Sequence, residues 1–199
     1  NNTNTFVSGS GAEKLERYSA FTSEVDVLIP YKIPEHKKGF FRTNFITSSI
    51  YGAHEATSDI NEYTWATVES ASFQVFLVRD KLESNNARFL LKNPDNSIFL
   101  TSSLIPDIYD NQRWNLAVSV RPNKYGLVGN VLTSSNPLYT LEFYGVTHNF
   151  DDIGREFLLT SSLSYDLGTA FLSNRKRFYV GAHMTNFTGT VAQSSDVKI

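Results

Sequence analysis

The run "NQRWNLAVSVRPN" at residues 111 to 123 constrains the fold more than any other part of the chain. Its large apolar residues alternate with smaller or polar ones, which is the period-two pattern of a β-strand with one buried face. The residues Arg121-Pro122-Asn123 then end the run in a turn. The run therefore predicts a strand of an antiparallel sheet whose inward residues are Trp114, Leu116, Val118 and Val120.

Further short runs of this kind, separated by turn-forming residues, follow one another from about residue 18 onward. "FTSEVDVLI" (21 to 29) alternates cleanly, whereas "ASFQVFLVRD" (71 to 80) is apolar on both faces and predicts a central, covered strand. "ARFLLKNPDNSIFLTSS" predicts two strands around the turn "NPDN". The other candidates are "GFFRTNFITSSIY", "GLVGNVLTSS", "LYTLEFYGV", "REFLLTSSLS", "RFYVGAHMT" and "DVKI". About ten short strands without a long helix predict an all-β, antiparallel two-sheet sandwich or jelly roll.

Composition agrees with one such domain and excludes several kinds of site. The chain has 199 residues, 15 Phe and 10 Tyr, a balance typical of sheet proteins, and that length is enough for one large core. Its formal charge of −2 provides no positive field for nucleic acid or an anionic membrane, so neither is an expected partner. The absence of cysteine excludes disulfides, thiolate nucleophiles and Cys-ligated zinc.

Residues 1–17 differ from the rest of the chain. They are rich in Asn, Thr, Ser and Gly and predict a linker or an arm lying on a neighbour. The chain begins with Asn rather than Met. We interpret it as an excised piece of a longer polypeptide, with a processed product as the alternative, and place the sandwich domain over residues 18–199.

Four segments resemble the laminin G-like, or concanavalin A-like, sandwich family. They are "SAFTSEVDVLIP", the Trp-centred "NQRWNLAVSVRP", "LEFYG" and "RFYVGAHMTNFTGTV". The resemblance covers roughly Tyr18 to Ile199 and implies a concanavalin A-like sandwich. It also implies one more strand after the last segment, beside the first strand. We therefore expect the domain to be truncated at its C-terminal end, with the exposed edge paired by residues or subunits outside this sequence.

Glu24 and Asp26 raise the question of catalysis. In a strand their carboxylates project from one face, about 6.5 Å apart along the backbone, and paired carboxylates are what a retaining glycoside hydrolase uses. Sandwich-fold glucanases that resemble this architecture carry E-x-D-x-E or E-x-D-x-x-E, and here Leu28 and Ile29 stand where the final acid belongs. Neither side chain can protonate a leaving group. We expect two solvent-facing carboxylates and no enzyme.

Metal and cofactor sites find little support in the sequence. The four histidines, His36, His54, His148 and His183, are widely separated and show no zinc-ligand spacing. Asp151 and Asp152 are adjacent in "THNFDDIGRE", and laminin G-like domains often hold Ca²⁺ at a rim, but an ordinary polar turn explains the pair as well. No cofactor is expected, and calcium is the alternative.

Aromatic side chains on predicted loops are the candidate ligand-binding residues, because Tyr and Trp combine a stacking face with a polar group. They are Tyr51, Tyr63, Trp65, Tyr109 and Tyr125.

The leading hypothesis is a non-catalytic structural or interaction module of a larger virion protein, such as a phage tail, fibre or capsid protein. This hypothesis rests on the family resemblance and on the composition of the chain, which is rich in Asn, Ser and Thr and contains no cysteine. Its expected partners are neighbouring subunits or domains, or a host glycan, in a homo-oligomeric assembly on a virion or extracellular surface. The alternatives are a secreted or cell-surface carbohydrate-binding module and, more remotely, a β-glucanase-like hydrolase.

Overall fold

A computed structural model describes residues 20–31, 46–55, 71–81, 84–123, 139–149, 152–174 and 176–181. The predicted arm at 1–17 and the candidate strands at 126–135 and 196–199 lie outside these ranges. Within them the chain forms antiparallel strands and one short helix. The strands are β1 (Phe21–Ile29), β2 (Thr47–Glu55), β3 (Phe73–Arg79), β4 (Ala87–Lys92), β5 (Phe99–Thr101), β6 (Gln112–Pro122), β7 (Tyr139–Asn149), β8 (Asp152–Leu163) and β9 (Lys176–Val180).

The described strands form two sheets packed face to face, which confirms the predicted sandwich. The front sheet has the order β1-β6-β7-β8 and the back sheet the order β5-β4-β3-β2-β9. All neighbouring strands are antiparallel. Strand β3 is central in the back sheet and buried on both faces, as its two-sided apolar pattern predicts.

The front sheet follows the predicted alternation. The four inward residues of β6 are fully buried, while the residues between them are half-buried. Strand β1 pairs with β6 in a continuous register that places Val27 beside Trp114 on the core side and Asp26 beside Asn115 on the outer side. A single-residue slip would move every apolar side chain of β1 into water, so the burial of one face fixes this register.

An aromatic cluster joins the two sheets at the centre of the core. The Phe89 ring from the back sheet lies 5.0 Å from Trp114 and 5.3 Å from Phe157, both on the front sheet, between ring centroids. Phe143 adds an edge-to-face contact to Phe157 at 5.1 Å. Such aromatic pairs contribute about 0.5–1.5 kcal/mol beyond their buried area.

A nine-residue helix, α1 (Tyr165–Ser173), links the last strand of the front sheet to the edge strand of the back sheet. Ser164 caps it by accepting a hydrogen bond from the Leu167 amide at 3.3 Å. Its buried side includes Phe171, and Gly168 lies directly against the Tyr139 ring. The helix therefore closes one end of the core between the two sheets.

The bounds of one predicted strand differ in the structure. The expected strand at 39–51 is described as β2 from Thr47 to Glu55, and residues 39–45 lie outside the described ranges. The two strands around "NPDN" are confirmed as β4 and β5, where the Asn93 side chain accepts from the Ile98 amide at 2.9 Å to hold the turn.

Candidate functional site

Two of the five candidate aromatic residues are not exposed, which corrects that part of the prediction. Tyr51 lies in β2 rather than in a loop and is 2% exposed, and Tyr109 is 6% exposed. The Tyr51 ring packs edge-on against Phe73, and burial raises the pKa of its hydroxyl. The Arg79 guanidinium covers the Tyr109 ring at 4.2 Å from its centroid. Neither ring offers a free face to a sugar.

A β-bulge explains why Tyr51 is buried. The β2–β3 register shifts between Ser49 and Tyr51, so that Ile50 is an extra residue. Without the bulge Tyr51 would lie on the outer face with Ser49; with it, Tyr51 pairs with Val75 and turns into the core. Period-two alternation carries no signal for such an insertion.

The remaining ligand-binding candidates, Tyr63, Trp65 and Tyr125, lie outside the described residues. Asp151 also lies outside them, and Asp152 is the first residue of β8. In the ranges that the structure describes, no three His, Asp or Glu side chains are grouped so as to hold a metal ion. The same ranges contain no helix with the length and hydropathy of a membrane-crossing segment.

The outer surface of the front sheet, here called the front face, carries polar side chains from all four of its strands. The strand registers place these side chains in rows across neighbouring strands, at about 4.8 Å per strand. Strand by strand, its members are Thr22, Glu24, Asp26 and Leu28 on β1; Arg113, Asn115, Ala117, Ser119 and Arg121 on β6; Thr140, Glu142, Tyr144 and Val146 on β7; and Glu156, Leu158, Thr160 and Ser162 on β8.

The Glu24 and Asp26 carboxylates lie on this face, as the alternation of β1 predicts. The side-chain amide of Asn115 donates to both of them, at 2.7 Å to Glu24 and 3.0 Å to Asp26. Leu28 follows on the same face, so β1 itself supplies no third carboxyl group. Across the sheet from Asp26, the row continues through Asn115 and Val146 before it reaches Glu156. That acid is three strands, about 14 Å, away.

Two further polar pairs hold the middle of the front face. Arg121 donates to both oxygens of Glu142, at 2.7 and 3.3 Å, in a two-pronged ion pair. The Tyr144 hydroxyl donates to the Glu156 carboxylate at 3.2 Å. Desolvation and the adjacent carboxylate together raise the pKa of Tyr144. These contacts fix the orientation of the Tyr144 ring on the surface.

A narrow apolar strip crosses this polar surface. Ala117, Tyr144 and Leu158 are direct neighbours in one row, and Leu158 is 59% exposed. Glu24 stands at the β1 end of the same row. At the centre of the front face the strip thus offers the Tyr144 ring and the exposed Leu158 side chain, bordered by carboxylate, amide and hydroxyl groups. Sequence reasoning missed Tyr144 because it looked for aromatics on loops, although the alternation of "LEFYG" already places this residue opposite the core.

A second polar group lies on the outer side of the back sheet, where it is buried. His54 Nε2 is 2.9 Å from the Gln74 side-chain oxygen, and both residues are fully buried. The Tyr179 ring meets the imidazole edge-on at 5.3 Å. Burial lowers the pKa of His54 to about 4. This group is a sealed polar contact between strands and presents no described opening to a ligand.

Comparisons of the chain with protein-family models, curated proteins and solved structures found no match. The resemblance to laminin G-like domains therefore stays a prediction, and the geometry of the described residues is the basis for assigning a function.

Proposed function

We propose that this chain is a non-catalytic interaction module of a larger structural protein, of the kind found in virion tails, fibres or capsids. Its front face is the contact surface, and a neighbouring protein subunit is the partner. The observation that carries this proposal is the apolar strip of Tyr144 and Leu158 within a surface where most charged groups already have side-chain partners: Glu24, Asp26, Arg121, Glu142 and Glu156.

That arrangement has the composition of a protein contact surface. Interfaces concentrate aromatic and aliphatic side chains at the centre and polar groups at the rim, and a few central residues contribute most of the affinity. Because Arg121, Glu142, Glu24 and Asp26 already have hydrogen-bond partners, a binding partner does not have to order them. A rigid sandwich with this face requires no movement to bind.

The geometry of Glu24 and Asp26 supports the non-catalytic part of the proposal. Both carboxylates share one neutral donor on an exposed sheet surface, and Leu28 stands on β1 where a general acid would be needed. The test is hydrolysis of a panel of β-glucans by the chain and by Glu24→Gln. We expect no hydrolysis by either protein. Activity that Glu24→Gln abolishes would refute this part.

The contact surface is tested by hydroxyl-radical footprinting of the native particle and of the isolated chain. In the particle we expect Tyr144 and Leu158 to lose at least about tenfold in labelling rate, because a partner covers them. Phe99 on β5 is the control, since it is 57% exposed on the back sheet and should label equally in both samples. Equal labelling of Tyr144 in both samples, or a native source in which the chain belongs to no assembly, contradicts the proposal.

A carbohydrate-binding module is the second candidate, and Tyr144 is the observation that favours it. An aromatic ring bordered by carboxylates is the usual means of holding a sugar, since the ring stacks on the sugar and the acids accept from its hydroxyls. A glycan array with wild type, Tyr144→Phe and Tyr144→Ala distinguishes the two functions. A lectin would keep most of its binding in Tyr144→Phe and lose roughly tenfold in Tyr144→Ala. Absence of binding by the wild type leaves the protein-contact function.

A further inference from the structure

Strand β9 carries a second exposed apolar surface. Lys176, Phe178 and Val180 alternate onto one side of this strand, and these three residues are here called the β9 strip. Phe178 and Val180 are 54% and 56% exposed, although the β2 residues with which they pair are buried. The Phe21 ring stacks on Phe178 at 6.2 Å between centroids and still leaves more than half of Phe178 exposed. The molecule therefore has two apolar surfaces, the front face and the β9 strip.

The charges at these two surfaces have opposite sign. The front face carries four acidic residues and two Arg. Glu24 and Asp26 accept from the neutral Asn115 amide, a contact that leaves their negative charges in place. In the back sheet, every charged side chain that the structure describes is basic: Arg79, Arg88, Lys92, Lys176 and Arg177. Lys176 belongs to the β9 strip and Arg177 is its neighbour in sequence. The front face is thus acidic, and the β9 strip is basic.

Charge decides how two copies of such a molecule can pair. They can join front face to front face, β9 strip to β9 strip, or front face to β9 strip. The first two arrangements bring like charges together, which costs free energy, whereas the third joins opposite charges and covers both apolar surfaces. The third contact cannot form within one molecule, because the front face points away from the back sheet to which β9 belongs.

We propose that the neighbouring subunit of this chain is a second copy, whose β9 strip docks on the front face. Tyr144 and Leu158 of one copy then meet Phe178 and Val180 of the next, with Lys176 near the front-face carboxylates. This inference rests on the proposed function and names the partner in it. Because the contact joins two different surfaces, each copy keeps one surface of each kind for a further neighbour, and repetition gives a ring or an open filament.

Two surface variants test this contact in the isolated chain. Leu158→Asp blocks the front face and Val180→Asp blocks the β9 strip, and both residues are more than half exposed, so neither change should disturb the core. By sedimentation velocity up to about 1 mM, we expect wild type to self-associate, since contacts of this size are weak. Each variant alone should associate at least about tenfold more weakly. A mixture of the two should form 1:1 dimers that do not grow, because one intact surface of each kind remains.

Phe99→Asp is the matched control, since Phe99 is 57% exposed at the opposite edge of the back sheet, about 19 Å from β9. It should self-associate like wild type. Wild type that stays monomeric at about 1 mM would overturn the proposal. So would association that survives in Leu158→Asp, or a mixture of the two variants that stays monomeric. Association that is unchanged between about 50 and 500 mM NaCl would also overturn it, because salt screens the attraction between the two surfaces.

Footprinting of the native particle separates failure of this inference from failure of the proposed function. Relative to the isolated chain, diluted until it is monomeric, we expect Phe178 to lose labelling together with Tyr144. Protection of Tyr144 without protection of Phe178 would make the front face a contact surface for a different protein. That result would overturn this inference and leave the proposed function standing. Equal labelling of Tyr144 in both samples contradicts the proposed function itself.

Discussion

His54 is a titratable side chain sealed between strands, and this position gives the protein a pH dependence. Its pKa is lowered from 6.5 to about 4, mainly by burial, against the opposing effect of the Gln74 hydrogen bond. Between these two values the unfolded chain binds a proton that the folded chain does not. The free energy of unfolding should therefore fall as the pH drops from about 6.5 to about 4, by up to about 3 kcal/mol.

Urea unfolding at pH 7, 5.5 and 4.5 tests this first prediction. His54→Gln should reduce the pH dependence over this window, because Gln does not titrate there. His148→Gln is the control, since His148 is exposed, and it should retain the pH dependence of the wild type. An equal loss of stability in wild type and His54→Gln between pH 6.5 and 4 would show that other groups cause it.

Gly52 lies beside this histidine and leaves no room for a side chain. A Cβ at this position would overlap the Gln74 side chain, the Phe73 carbonyl and His54 Nε2. We expect Gly52→Ala to lower the free energy of unfolding by about 1–3 kcal/mol, through overpacking. Gly154→Ala is the control, because Gly154 is exposed in β8 and the change should stay within about 0.5 kcal/mol. Denaturant titration of both variants gives the free energies of unfolding that test this prediction. A Gly52→Ala variant as stable as the wild type would mean that β2 and β3 can separate locally.

At the residue scale, alternation predicted burial well where strands are regular. It placed Trp114 inside and Glu24 and Asp26 outside, and the structure agrees. The prediction that Tyr51 lies on a loop was wrong, because one inserted residue turns this side chain of β2 into the core. The burial of His54 on the outer side of the back sheet was not predicted. Both cases depend on contacts with other strands, and the spacing of residues along the sequence does not reveal such contacts.

At the scale of elements, Lys176 joins α1 to β9. Its ammonium group donates to the carbonyls of Phe171 at 2.6 Å, Asn174 at 3.1 Å and Ala170 at 3.3 Å, at the C-terminal end of the helix. A cation there also complements the helix dipole. Because the same group lies over the Phe21 and Phe171 rings, Lys176 ties the helix to both sheets.

Lys176→Met tests this joint, since Met keeps most of the aliphatic stem and removes the donors. We expect a loss of about 1–2 kcal/mol in the free energy of unfolding and faster amide exchange in α1. Lys81→Met, at an exposed position, should change neither quantity. If amide exchange in α1 is the same in Lys176→Met as in wild type, Lys176 does not hold the helix against β9.

Sequence reasoning found most of the described strands but not α1. The segment "YDLGTAFLS" is short and contains Gly168, so its helical pattern is weak. The capping residue Ser164 and the acidic Asp166 in the first turn were available signals, typical of a helix start. The strand pattern preceding them, which continues as far as Leu163, obscured the change of period.

For the whole molecule, the decisive contacts connect distant parts of the chain. Asn115 and Asp26, which join β6 to β1, are 89 residues apart in sequence. Because closing such a loop precedes any gain from the contact, refolding should occur in the millisecond-to-second range or slower. Trp65→Phe leaves Trp114, fully buried between the sheets, as the single tryptophan for stopped-flow fluorescence. Complete burial of Trp114 within microseconds would contradict this expectation.

The stacking of Phe21 on Phe178 joins the first described strand of the chain to the last one, across the two sheets. A contact between residues so far apart in sequence forms only when the strands between them are in place. This pair of rings is therefore a marker of complete folding, since a partly folded sandwich would leave the two rings apart.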